Sequence, residues 1–93
     1  MHAVLIEVDV AGVDADAGLK GLREQIVPAI RALPGFSSGT WLTGNEAGKG
    51  LSLTVWDTEA NARVMADRFG VGSSPQMAAT VSRCELREVA ATA

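Results

Sequence analysis

An α+β fold is predicted by the order of hydrophobic periods and stops along the 93-residue chain. A period-two apolar run opens the chain, apolar residues at spacings of three and four follow, and Leu33-Pro34-Gly35-Phe36 then halts that helix sharply. Two strand-like runs around a glycine-rich turn, a second helix and a final strand complete a β-α-β-β-α-β order.

The first strand covers residues 2–10, with Val4, Ile6, Val8 and Val10 on one face and Ala3, Leu5, Glu7 and Asp9 on the other. The first face is core. The second turns from apolar to acidic, as expected of a surface that starts beneath a partner or cavity and ends in water. Gly12 breaks the strand. Asp14 or Asp16 then caps a helix whose stripe is Leu19, Leu22, Ile26, Ile30 and Leu33. Pro28 removes one hydrogen bond from that helix and crowds the preceding turn, so a kink is expected there. The stripe continues in phase beyond it, which argues against a break.

Pro34-Gly35 ends the helix because the residue before proline resists helical geometry and glycine accepts left-handed dihedrals. Residues 37–43 and 51–57 read as a hairpin around Gly44-Asn45-Glu46-Ala47-Gly48-Lys49-Gly50. Two registers remain open: pairing 41 with 53 groups Trp41 with Leu51, Leu53 and Val55, whereas pairing 41 with 54 groups it with Trp56. Asp57 or Thr58 caps the second helix, Ala60, Ala62, Val64, Met65, Ala66 and Phe69 supply its contacts, and Gly70 ends it. Residues 70–75 form a loop, and 80–89 the last strand.

The simplest arrangement of this order is ferredoxin-like: a four-stranded antiparallel sheet with both helices on one face, in a single domain spanning 1–93. The other sheet face carries Leu, Val or Trp with nothing from the same chain to cover it. Pairing two sheets face to face in a homodimer is the economical remedy. Composition agrees, because 47% hydrophobic residues are many for so small a chain.

Other classes are excluded on simple grounds. A net charge of −3 without a basic patch supplies few of the phosphate contacts that drive nucleic-acid binding. No apolar run reaches the ~18 to 20 residues that span a bilayer, and Met1-His2-Ala3 lacks the charged region and long apolar run expected of a secretory signal. Cys84 is the single cysteine, so no internal disulfide forms. A reducing, cytoplasmic setting is the expectation. The loop from Gly44 to Gly50 departs from a phosphate loop in spacing and lacks a hydroxyl residue after Lys49, and no metal-ligand spacing or serine-histidine-acid set is evident.

Pro28 with Leu33-Pro34-Gly35-Phe36, then Gly39-Thr40-Trp41-Leu42 and Gly44, and finally Leu53-Thr54-Val55-Trp56-Asp57-Thr58-Glu59-Ala60-Asn61-Ala62 resemble the dimeric α+β barrel superfamily. The resemblance is to its antibiotic-biosynthesis-monooxygenase-like (ABM-like) branch. It implies a homodimer paired through sheet faces and a pocket between sheet and helices. It also implies cofactor-independent monooxygenation of a small aromatic substrate, or a binding or dimerisation module that keeps the scaffold without the chemistry. Haem-degrading relatives place a histidine ligand on the second helix. Here that helix has none, and His2, the only histidine, starts a strand. No cofactor or metal is therefore expected.

Four residues are candidates for contact with a small apolar or aromatic ligand. Trp41 offers a flat face beside the small Gly39 and Thr40, although it suits a core equally well. Asn61 could hold a carbonyl or oxyanion, or else serve the helix start near Thr58. Met65 and Phe69, one turn apart, would close the space under the second helix. Cys84 reads as a small buried hydrophobe, and no catalytic base is identifiable. Alternating charges Glu7, Asp9, Arg83, Glu85, Arg87 and Glu88 read as cross-strand pairs at a rim.

Overall fold

The computed structural model describes residues 1–10, 14–75 and 79–93. Strand β1 (His2–Asp9) leads to a helical arm made of α1 (Ala15–Gly21), a π-helical segment (Leu22–Ile26) and α2 (Val27–Arg31). Strands β2 (Phe36–Leu42) and β3 (Lys49–Trp56), helix α3 (Glu59–Arg68) and strand β4 (Thr80–Glu88) follow. The strands form one antiparallel sheet in the order β2-β3-β1-β4. This is the ferredoxin-like α+β arrangement that the element order predicts. The break expected at Gly12 falls outside the described residues.

Both helical units pack on the same side of the sheet. Val4 and Ile6 from β1, Trp56 from β3 and Val81 from β4 meet Ile30 of α2 and Ala62 and Met65 of α3 in one buried cluster. Trp56 is its largest member and is fully buried. Its indole N–H donates to Thr54 Oγ1 at 2.9 Å, and Phe36 meets the ring edge to face at 5.5 Å. A large apolar surface is thereby buried without an orphaned donor.

The hairpin register resolves in favour of two tryptophans on one face. Phe36 opposes Trp56, but the ladder shifts by one residue before Ser38, so that Trp41 opposes Ser52. Phe36 and Trp41 are five residues apart and would face opposite sides of a regular strand. One extra residue restores them to the same side, as a β-bulge does. A similar shift in β4 beside Glu7 leaves Ser82 free to donate to the Glu7 carboxylate at 3.0 Å.

Caps fix the helix starts. Asp14 accepts from Ala17 N–H at 2.9 Å, and Thr58 accepts from Asn61 N–H at 3.2 Å. The distortion expected at Pro28 takes the form of the π-helical segment immediately before it, where Val27 N–H bonds back to the Leu22 carbonyl. Proline in a regular helix clashes with the carbonyl four residues earlier, and a widened turn gives that carbonyl room. The arm continues to Arg31 without a break.

Gly35 shows why the helix must stop where it does. Its φ is +78°, and a Cβ there would lie 2.3 Å from Asp57 Oδ1 and 2.4 Å from Asn61 Nδ2. Its carbonyl accepts from Asp57 N–H at 2.9 Å, tying the end of the arm to the start of α3.

Among the described residues no helix is long and apolar enough to cross a membrane. On the sheet face away from the helices, β1 presents Leu5 and β3 presents Leu51, Leu53 and Val55, with Leu53 45% exposed. Arg83, Glu85 and Arg87 of β4 border this apolar strip, and both arginines pair with Glu85. Hydrogen bonds from Arg87 and Arg83 hold the Glu85 carboxyl below its usual range.

Two substitutions test this packing by denaturant unfolding. Trp56→Ala is expected to cost about 3–5 kcal/mol through the cavity it leaves. Gly35→Ala is expected to cost about 1–3 kcal/mol, since it adds backbone strain and a clash at the junction. An unchanged midpoint in either would contradict the packing described.

Candidate functional site

The arm packs closely on the sheet only at its C-terminal end. Ile30 is buried, but neither α1 nor the π-helical segment contains a buried residue. Leu19, Leu22 and Ile26 point along the same stripe yet are only partly buried. The stripe and the sheet are held apart there, and a cavity of about 370 Å³ occupies the gap.

Its floor is the open end of the sheet, with Ile6 and Val8 from β1 and Gly50 and Ser52 from β3. Trp41 forms one wall, Met65 and Phe69 of α3 close the inner end, and Leu19, Leu22 and Ile26 roof it. Asp14, Thr43 and Asn45 stand at the mouth. The Asn45 side-chain oxygen accepts from Ala47 and Lys49 N–H at 3.0 Å each, which orders the hairpin loop that forms the rim.

Three of the four predicted contact residues therefore line one cavity. Asn61 does not. Its amide donates to Asp57 Oδ1 at 2.8 Å and packs on Gly35, so it serves the junction between the arm and α3. The space expected beside Gly39 is occupied by Trp41 itself: a Cβ on Gly39 would lie 2.6 Å from the indole. Glycine at 39 thus allows the ring to lie along its own strand toward Phe36.

The lining is poor in acid-base groups. Among the described residues Asp14 is the only ionisable one at the cavity, and its carboxylate caps α1 from an exposed position. His2 lies elsewhere, with Nε2 3.9 Å from Glu59 Oε2. Cys84 lies outside the cavity and directs its thiol to the Ala66 carbonyl at 3.7 Å. Burial, then the nearby Asp67 charge, pushes that thiol up and keeps it protonated, which suits a packing role.

Ser52 is a residue that the sequence reading passed over. It is 7% exposed and lines the cavity floor opposite Trp41. A hydroxyl at an otherwise apolar core position of a strand is the signal that could have drawn notice.

No family model matches the chain, and no curated protein is significantly similar to it. Among solved structures, it is similar to a crystal structure of a MhuD mutant with two manganese protoporphyrin IX molecules bound per active site. The identity is 18%, the TM-score is 0.58, and the match covers 100% of this chain and 98% of the other. MhuD is an ABM-fold protein. The chain therefore shares the fold of that structure, in agreement with the ABM-like resemblance carried by its motifs.

Proposed function

We propose that this protein binds a small, flat, mainly apolar molecule in the cavity between its sheet and the arm, and works as a homodimer. The observation that carries the first part is the roofed gap of about 370 Å³ itself, at the lower end of the range for ligand pockets. Leucine and isoleucine side chains that align toward the sheet but fail to bury gain most when an apolar body fills the space. The presence of Trp41 and Phe69 in the lining favours an aromatic ring system over a chain.

The solved neighbour holds porphyrins, so a haem was weighed against the lining. Haem iron takes His, Cys, Met or Tyr as protein ligand. The described lining has Met65 alone from that set, and Met65 is 1% exposed within the core cluster. The described residues of the lining do not fit haem ligation.

A second reading is cofactor-independent monooxygenation, favoured by the ABM-like fold together with an apolar cavity that would take a bound aromatic partly out of water. In that chemistry an electron-rich CH₂ such as that of anthrone is oxidised to a carbonyl while one dioxygen is reduced. One oxygen atom enters the product and the other leaves as water. The protein's share would be to orient the substrate on Trp41 and to exclude solvent.

The dimer proposal is supported by Leu5, Leu51, Leu53 and Val55 on the uncovered sheet face. A charged border of Arg83, Glu85 and Arg87 gives that face the apolar centre and polar rim of an interface.

Binding is tested by titrating the protein with 1-naphthol or anthrone while following tryptophan fluorescence and oxygen uptake. Saturable quenching is expected, and Trp41→Ala should weaken binding about tenfold with the fold intact. No saturable binding would contradict the ligand reading. Uptake of one dioxygen per anthrone above the buffer rate supports the oxygenase, and binding without uptake supports the module. For the dimer, light scattering should give twice the chain mass for the native protein and the single-chain mass for Leu53→Arg. A native protein of single-chain mass would sink that part.

A further inference from the structure

We infer that Ser52 is the specificity-determining group of the cavity, and that it selects aromatic ligands bearing a hydroxyl or carbonyl oxygen over hydrocarbons of the same shape. This rests on the ligand-binding reading above and goes beyond it by naming the polar contact. Strand β3 buries two polar side chains on its helix-facing side, Ser52 and Thr54. They are treated differently. Thr54 receives the Trp56 indole N–H at 2.9 Å, whereas the Ser52 hydroxyl has no hydrogen-bond partner among the described residues. Its neighbours across the ladder are Ile6 on one side and Trp41 on the other, neither of which has a side-chain acceptor.

The Ser52 residue is buried, yet its hydroxyl is not sealed in the core: it meets the cavity, where a ligand that displaces water must supply its hydrogen bond or leave it unpaired. Ser52 belongs to the cavity lining, so a ligand seated on Trp41 brings its atoms to that hydroxyl. The other polar side chains stand at the rim: Asp14 caps α1, the Asn45 oxygen holds two loop amides, and Thr43 lies beyond the end of β2. Ser52 is thus the polar point in an apolar floor. A hydroxyl both donates and accepts, so it serves a phenol or a ketone alike. A hydrocarbon would fill the same space and leave the group unpaired, the situation in which polar recognition discriminates most strongly.

The experiment uses naphthalene and 1-naphthol, which share a ring system and differ by one oxygen. Calorimetric titration of the native protein gives the ratio of their affinities, and the same ratio is measured for Ser52→Ala and Ser52→Thr. The ratio in favour of 1-naphthol is expected to fall about 5- to 10-fold in Ser52→Ala, the effect of one net hydrogen bond, and to be largely kept in Ser52→Thr. The unfolding midpoint of ligand-free Ser52→Ala should equal or exceed that of the native protein, because no internal hydrogen bond is lost. A ratio unchanged by Ser52→Ala overturns this inference while leaving the cavity reading intact. Failure of both probes to bind the native protein overturns both. A ligand-free Ser52→Ala that unfolds well before the native protein assigns Ser52 a structural hydrogen bond and likewise overturns the inference.

Discussion

The pairing of Trp41 with Ser52 across β2 and β3 is the constraint from which the rest of the molecule follows. It depends on the one-residue shift between Phe36 and Ser38. Without it the indole would point to the open sheet face, and the cavity would lose its wall. With it, Phe36 and Trp41 share the helix-facing side, and Gly39 between them gives the indole room to lie flat.

That side of the sheet is then divided. At one end Trp56, Val4, Met65 and Ala62 fill the space completely, and the stability of so small a domain must come largely from there. At the other end Gly50 and Ser52 offer little bulk, so the arm touches the core only partly at Ile26 and is buried first at Ile30. The π-helical segment and Pro28 sit at the transition between the two regimes. A π-helical turn of this kind is common where a helix is shaped around a functional space. Core and cavity are thus two halves of one surface, distinguished by side-chain volume along a single strand.

Much of the fold was legible because it depends on local chemistry. The stripe from Leu19 to Leu33, the Asp14 and Thr58 caps and the Pro34-Gly35 stop each act within a few residues, and each appears in the structure. The register was not legible. A bulge alters strand parity without a fixed residue signature, so both alternatives for Trp41 were consistent with the alternation. Asn61 illustrates a different limit: a carboxamide in the first turn of a helix suits capping or recognition, and only the position of Gly35 and Asp57 assigns it to the junction. Ser52 escaped because a serine in a β-rich run resembles any solvent-facing strand residue until the register is known. Trp41, Met65 and Phe69 were easier to bring together, since each is a large apolar group, Trp41 on the sheet and the other two on or beside the helix that covers it.

The central claim is that the roofed end of the helix-facing sheet surface, not the open outer face, receives an aromatic ligand. Intermolecular nuclear Overhauser effects from bound 1-naphthol test this most directly. Cross-peaks are expected to the Trp41 indole, the Met65 methyl and the methyls of Leu22 and Ile26. Cross-peaks confined to Leu5, Leu53 and Val55 on the outer face would contradict it.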